Sequence, residues 1–249
     1  MSTVPVPAPR FERLDALRGA AMVWMMGFHL CFDLQQLRLI APQNFYEDPF
    51  WTVQRSLIVS LFLLCAGAGQ AVALVQAQPA RRFWRRWAQV AVCALLVSAG
   101  SAWMFPRSWI SFGVLHGMAV MLLLVRFGLP RRALGRSSTP LVLLAVGAVL
   151  VVLPLGVQHP FFDSRWTNWV GLVTRKPATE DYVPLLPWLG VMLWGLAVML
   201  WAMARHAAAL AVPVPRALRP LVLLGRWPLT VYMLHQPLFI GLLSLFARH

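Results

Sequence analysis

Long apolar runs separated by short polar breaks dominate the pattern of this 249-residue chain. A helix needs about 20 apolar residues to cross the hydrocarbon core of a bilayer, and roughly seven runs reach that length. They lie at roughly residues 17–39, 55–77, 87–105, 109–128, 140–157, 184–204 and 227–246. Prolines and arginines mark the breaks, at Pro79, Pro106, Pro130 and from Pro213 to Pro220. The pattern predicts an all-α, polytopic membrane bundle of about seven transmembrane helices.

Composition supports lipid as the solvent. The chain is 59% hydrophobic and only 12% charged, and its mean hydropathy is +0.67. A soluble domain carries about a quarter charged residues, and a disordered chain is polar, so both classes are excluded. The sequence has no internal repeat, and its length suits a single domain over residues 1–249. The three cysteines, Cys31, Cys65 and Cys93, lie in apolar runs without paired spacing, which predicts packing residues rather than a thiolate metal site.

Basic residues predict the orientation. The 22 Lys and Arg outnumber the 8 Asp and Glu, but the arginines flank apolar runs, so the excess indicates membrane topology rather than a nucleic-acid partner. With the N-terminus in the cytoplasm, about two thirds of them fall on the cytoplasmic side, which favours N-in and C-out. The segment before Arg10 has no separate apolar region and no small-residue cleavage site, so the first span is expected to be an uncleaved anchor.

The first span carries polar side chains at helical spacing. Three- and four-residue steps place one set of residues on a single face: Asp15, Arg18, Met22, Met25 or Met26, His29 and Asp33. A charged stripe cannot face lipid, so it is expected to line the bundle interior or a wet cavity, where ionisable groups are functional candidates. His29 is eleven residues beyond Arg18, about 16 Å deeper at 1.5 Å per residue. This places the imidazole near the bilayer midplane.

Two further histidines are expected at a comparable depth. His116 lies ten residues from Arg126 in the fourth run, and His235 lies nine residues from Arg226 in the seventh, about 15 and 14 Å by the same rise. One intramembrane histidine is readily explained as a neutral packing residue, but three at matched depth favour a functional site. Imidazole also binds metal or haem, but the sequence has neither an HxxxH pattern nor a Cys/His cluster, so no metal is expected.

Five segments carry a family resemblance. RLDALRGAAMVWMMGFHLCFDL (13–34) resembles the opening of the bacterial heparan-alpha-glucosaminide N-acetyltransferase catalytic-domain-like family, within the membrane acyltransferase superfamily. Four further segments resemble the family's later motifs in the same order: RSLIVSLFLLCAGAG (55–69), FGVLHGMAV (112–120), DYVPLLPWLGVMLWG (181–195) and GRWPLTVYMLHQPL (225–238). The resemblance implies a membrane-embedded acyltransferase that moves an acyl group from cytoplasmic acyl-CoA to an acceptor across the membrane. The spacing of Arg18 and His29 also resembles a signature of that superfamily, in which the histidine lies at the reaction centre.

The expected site residues follow from the stripe and the resemblance. Histidine suits removal of a proton near neutral pH, and Asp33, one turn beyond His29, is expected to fix its tautomer. Three groups of residues are assigned: His29, Asp33 and Arg18 to catalysis; Arg18, His116, His235 and Gln236 to acyl-CoA; and Arg55, Asp181, Tyr182 and Trp188 to the acceptor. Acetyl-CoA or another acyl-CoA is the expected co-substrate, with no metal. A bacterial inner-membrane location and a glycan-type acceptor of the envelope are expected.

Two other function classes remain open from the sequence. A transporter or channel would use the buried Arg18, His29 and Asp33 stripe as a proton or substrate relay. Broken helices and inverted repeats would favour that class, and neither is visible. A structural or assembly partner would use the stripe for helix packing. Acceptor, acyl chain, oligomeric state and the formation of an acyl-histidine intermediate are left undetermined by the sequence.

Overall fold

The protein is helical throughout the part of the chain that the structure describes. The computed structural model describes residues 10–246, and 73% of the chain is helical. No strand occurs in that range; an isolated parallel bridge joins Phe112 to Tyr182. The all-α prediction is therefore confirmed. Two features used for the sequence predictions, the segment before Arg10 and the basic residue Arg248, lie outside the described residues.

Each of the seven predicted apolar runs corresponds to a helix. The described range holds nine α-helices: α1 Glu12–Gln36, α2 Pro49–Val75, α3 Ala80–Met104, α4 Val114–Gly128, α5 Thr139–Gly156, α6 Leu185–Arg205, α7 Ala207–Ala211, α8 Arg219–Arg226 and α9 Pro228–Leu243. Local chemistry sets several boundaries. Asp48 caps α2, its side chain accepting a hydrogen bond from Phe50 N at 2.8 Å, and Pro49 occupies the first turn, where a missing N–H costs nothing.

Four helices are long and apolar enough to cross a membrane. Within the described residues these are α2, α3, α5 and α6, whereas α4 and α9 are apolar but shorter. The 25-residue α1 is long enough but is not one of the four, and Glu12, Arg13, Asp15, Arg18 and Asp33 place charges towards both of its ends. The described residues therefore hold four candidate membrane-spanning helices. The count of seven spans and their orientation stay predictions.

The chain divides into two compact units. The terminal unit comprises Met1–Gln43 and Trp201–His249, and the middle unit comprises Asn44–Leu200. The prediction of a single domain over residues 1–249 is not tested by this division. Each unit has its own packing, and each holds some of the predicted site residues.

Glycines bring helices close together in the middle unit. A Cβ at Gly67 of α2 would overlap the carbonyl oxygen of Met192 in α6, and one at Gly195 would overlap that of Leu64. Small residues of this kind let membrane helices approach to backbone contact. A side-chain bond joins the next pair of helices, because Trp87 Nε1 of α3 donates to Ala119 O of α4 at 2.9 Å.

The terminal unit is built on α1, which packs against α8 and α9. A Cβ at Gly19 would overlap Leu221 O, and one at Gly225 would overlap Asp15 O, so the α1 and α8 backbones are in direct contact. The sequence analysis missed α8, because the stretch from Pro213 to Pro220 indicated only a break. Pro220 instead lies in the first turn of α8, a position that tolerates proline.

Candidate functional site

His29 of α1 and His235 of α9 meet inside the terminal unit. Their ring centroids are 5.0 Å apart with an interplanar angle of 64°, an edge-on contact. The predicted burial of the α1 stripe is also observed: Asp15, Met22, Met25 and Asp33 are buried, and Arg18 and His29 are half-buried. The prediction that His29 and His235 converge is therefore confirmed.

The hydrogen bonds of His235 define which ring nitrogen carries its proton. Nδ1 lies 2.7 Å from Tyr232 O and 3.3 Å from Val231 O. Carbonyl oxygens only accept hydrogen bonds, so Nδ1 must be the protonated, donating nitrogen. In the neutral ring the lone pair then sits on Nε2. This atom is buried and has no hydrogen-bond partner among residues 10–246, in a side chain whose residue is only 5% exposed.

The closeness of the two rings limits their combined charge. Two imidazolium charges 5.0 Å apart would repel each other by about 3 kcal/mol at an effective dielectric constant of about 20. The pair therefore favours at most one proton beyond the neutral state. An arrangement that accepts one proton and resists a second is suited to transient proton transfer.

A second polar contact joins the same two helices. The side chains of Asp33 in α1 and Gln236, the residue after His235, lie close to one another. Asp33 is 4% exposed, and its Oδ2 atom has no hydrogen-bond partner in the described part of the chain. No hydrogen bond joins Asp33 to His29 in that part of the chain, and a role of Asp33 in fixing the His29 tautomer stays a prediction. The carboxylate lies near the Gln236 amide of α9, and the His29 ring contacts His235.

Arg18 is held at the other end of the α1 stripe. Its Nη1 donates to Asp15 Oδ1 at 2.9 Å and to Gly225 O at 3.2 Å. Arg10 Nε donates to the other carboxylate oxygen, Oδ2, at 2.6 Å. One buried carboxylate therefore balances two guanidinium groups, so a net positive charge remains. Arg18 has further N–H donors that these contacts do not use.

His116 has a capping role rather than a mid-helix position. The expected helix over 109–128 begins only at Val114, so His116 lies in the first turn of α4. Gly113 N donates to His116 Nδ1 at 3.3 Å, so the ring proton of His116 is on Nε2. This Nε2 lies 3.0 Å from Ser98 Oγ. The Ser98 hydroxyl itself donates to Ile110 O at 2.7 Å. Both ring nitrogens are used in these contacts, and the matched depth of His116, His29 and His235 stays a prediction. His116, at the third helical position, accepts from the N–H of the N-cap residue Gly113, as the third residue of a capping box does.

Asp181 caps the same helix from a distant part of the chain. Its Oδ2 accepts a hydrogen bond from Val114 N at 2.7 Å, at the positive end of the helix dipole. Burial raises the pKa of Asp181 above its ordinary value, while the Val114 N–H and the nearby positive charge of Arg55 act in the opposite direction. Arg55 is half-buried in α2. Asp181 and Arg55, which were assigned from separate sequence motifs, are therefore close enough for their charges to interact.

The other residues assigned to the acceptor have different surroundings. The hydroxyl of Tyr182 donates to Asn168 O at 2.7 Å, and burial, followed by the charge of Asp163, raises its pKa above the usual value. Trp188 lies near the start of α6 and is half-buried. The sequence analysis missed Glu180, whose carboxylate accepts hydrogen bonds from Ser108 and Tyr46. No local sequence signal could reveal it, because both donors are more than 70 positions away.

The described residues hold no cluster of three or more His, Cys, Asp or Glu side chains placed to bind a metal ion. Together, the fold and the terminal-unit site define a helical membrane protein with a buried histidine pair. The chain matches the family described as "Heparan-alpha-glucosaminide N-acetyltransferase, catalytic" over residues 10–237. It therefore belongs to that family, as the sequence motifs predicted. The chain has no match among curated proteins and none among solved structures.

Proposed function

We propose that this protein is a membrane acyltransferase that transfers an acyl group, acetyl in the first instance, from acyl-CoA to a glycan-type acceptor. Family membership implies an N-acetyltransferase-type membrane enzyme. The observation that carries the proposal is the contact between His29 and His235, 5.0 Å apart and both within the matched range. Removal of a proton from a hydroxyl or amine needs a positioned base active near neutral pH, and imidazole is the side chain suited to it.

The basic end of α1 supports binding of the nucleotide part of acyl-CoA. Arg18 retains guanidinium donors beyond its bonds to Asp15 and Gly225 O. Planar guanidinium groups bind phosphate oxygens through paired hydrogen bonds. Arg18 lies eleven residues from His29, or about 16 Å along the helix. A nucleotide at Arg18 and a thioester at His29 would therefore need a long, thin connecting arm, which the pantetheine chain of CoA supplies.

The topology proposed for this function has seven spans. In addition to α2, α3, α5 and α6, the helices α1, α4 and α9 would cross the membrane, with the N-terminus in the cytoplasm and the C-terminus outside. The location would be the bacterial inner membrane, where acyl-CoA is available on one side and envelope glycans on the other. This arrangement puts the Arg18 end of α1 on the acyl-CoA side.

The structure refines the proposed substrate contacts. His116, Asp181 and Tyr182 use their polar atoms to hold α4 and the preceding loops in place. We therefore assign them to the scaffold. Arg55 and Trp188 remain candidates for acceptor binding, and His235 moves from acyl-CoA binding to the reaction centre.

Binding of CoA tests this function directly. Purified protein in lipid nanodiscs should bind CoA and acetyl-CoA in calorimetry, and Arg18→Gln should weaken binding, more strongly at low salt because exposed charges are screened by ions. Arg38→Gln, an exposed arginine beyond the other end of α1, serves as the control and should bind as the wild type does. Absence of CoA binding at millimolar concentration would contradict the enzyme and favour the transporter class.

A further inference from the structure

Two buried polar atoms in the terminal unit have no partner, and both are hydrogen-bond acceptors. One is Nε2 of His235 and the other is Oδ2 of Asp33, among residues 10–246. Each residue is at least nine-tenths buried. An unpartnered buried polar group is costly because it gives up its hydrogen bonds to water, and such an atom in a native protein needs an explanation. Two of them on the facing helices α1 and α9 indicate a place where a ligand provides the missing hydrogens.

We propose that His235 Nε2 is the atom that takes the proton of the acyl acceptor, and that Asp33 Oδ2 accepts a second hydrogen from the same group. This inference rests on the proposed function and names the chemistry of its acceptor. A group that satisfies two acceptors must bring at least two N–H or O–H donors. Amino sugars and sugars with neighbouring hydroxyls have this property, whereas phosphate diesters, thioesters and alkyl chains do not.

The backbone of α9 prepares His235 for this role. The Tyr232 carbonyl, at 2.7 Å, holds the proton on Nδ1 and keeps the lone pair on Nε2. When Nε2 gains a proton, the same carbonyl stabilises the imidazolium through a charge-assisted hydrogen bond. No hydrogen bond from residues 10–246 fixes the tautomer of His29, whose ring contacts Phe28 and His235. His235 is therefore the catalytic residue, and His29 is a positioning residue that borders the ring.

The transfer step balances as follows. The acceptor N–H or O–H bond breaks and its proton moves to His235 Nε2, while the freed electron pair forms a bond to the thioester carbonyl carbon. The tetrahedral intermediate then collapses, the carbon–sulfur bond breaks, and the thiolate of CoA takes the proton back from His235. The products are the acylated acceptor and free CoA, and both histidines return to the neutral state.

The ring tautomer can be measured without acyl transfer. Long-range nitrogen NMR spectra of histidine-labelled protein in nanodiscs should show His235 with a protonated Nδ1 and an unprotonated Nε2 at pH 7, assigned by the loss of signals in His235→Gln. Glucosamine should shift the Nε2 signal. N-acetylglucosamine, in which the amine is blocked, should shift it as well if hydroxyls are the donors and leave it unchanged if the amine is required. A protonated Nε2, or a signal that neither sugar moves, would overturn the inference.

Kinetics separate this inference from the proposed function. With acetyl-CoA and glucosamine, His235→Gln should lower kcat by about 10²- to 10⁴-fold, and Asp33→Asn should raise the KM for the sugar more than it lowers kcat. His206→Gln, an exposed histidine of the same unit, is the control. A kcat of His235→Gln equal to that of the wild type would overturn the inference but leave the acyltransferase intact. Should His235→Gln fail to fold, the His235 signals are assigned by elimination from single variants of the other five histidines, and the wild-type NMR spectrum then decides.

Discussion

The carboxylate of Asp181 caps α4 at Val114, 67 positions earlier in the sequence. The N-cap residue is Gly113, which lacks a side chain, and a Cβ there would overlap the Asp181 carboxylate. The glycine and the aspartate are therefore complementary: the first leaves the space that the second fills. Because His116 of the same turn bonds to Ser98, this cap also fixes the contact between α3 and α4.

Removal of the Asp181 carboxylate should destabilise the middle unit. Asp181→Ala leaves the Val114 N–H without its acceptor, and the loss of a helix cap typically costs about 0.5–2 kcal/mol. We expect a lower Tm in detergent, with Asp181→Asn between Asp181→Ala and the wild type because its amide oxygen still accepts. The exposed Glu47→Gln is the control. An unchanged Tm for Asp181→Ala would contradict the capping role.

Alanine substitutions should discriminate between two glycines of α1. Gly19→Ala places a Cβ against Leu221 O and should destabilise the contact with α8 by about 1–3 kcal/mol. Gly27→Ala has no neighbouring atom within 4 Å and should be neutral or slightly stabilising, since alanine favours helix more than glycine. Thermal unfolding of the two variants in the same detergent measures the difference. Equal Tm values would show that α1 and α8 are not in backbone contact.

The loop between α5 and α6 should loosen in acid through Asp163. Its carboxylate accepts hydrogen bonds from the Thr174 hydroxyl at 2.6 Å and from Thr174 N at 2.7 Å. The bond from the Thr174 hydroxyl is the main reason that the pKa of Asp163 lies below its ordinary value. A lowered pKa stabilises the loop above the unfolded pKa of about 3.9, and this contribution is lost as pH falls through the folded value.

Hydrogen exchange at the Thr174 amide measures this effect. After correction for the intrinsic exchange rate, protection should fall as pH decreases below about 4 in the wild type. In Asp163→Asn it should not change over that range, since the amide does not titrate. Protection that falls equally in both proteins would mean that another group controls the loop.

Reporter fusions test the proposed topology. A reporter fused after Arg136 should lie in the cytoplasm and one fused after Arg175 should lie outside, because the charge bias predicts opposite sides for these two positions. A pair of reporters active on opposite sides of the membrane gives a positive signal in either location. The same location for both fusion points would remove α5 from the set of spans and contradict the count of seven.

The sequence predicted helices better than it predicted hydrogen-bond partners. Apolar periodicity and length are local signals, and they located α1–α6 and α9 with small boundary errors. The depth argument placed His29 and His235 at a comparable level from a fixed rise per residue, and their rings are in contact. In the fourth run the predicted helix began five residues too early, so His116 lies in the first turn of α4. A run of apolar residues does not show where its helical part begins.

The partners of the polar residues depend on contacts between distant segments. Asp33 was expected to bond to His29, its neighbour on the same helix, but the amide that lies near its carboxylate is that of Gln236 on α9. Glu180 and the cap at Asp181 depend equally on distant chain segments. The sequence did not predict α8, because the proline-rich stretch from Pro213 to Pro220 indicated a break at that point. Spacing within one helix determines which residues share a face, but it does not determine which partner each of them meets.

The composition of the envelope glycans gives the most direct test of the central claim, which is that the histidine pair of the terminal unit catalyses acyl transfer. Envelope glycans from a deletion strain, and from the same strain complemented with wild type, His235→Gln, His29→Gln or His206→Gln, are compared by mass spectrometry. We predict that deletion removes an acyl group, that wild type and His206→Gln restore it fully, and that His235→Gln restores less of it than His29→Gln. Glycans that are identical in all strains, or fully restored by His235→Gln, would contradict the account.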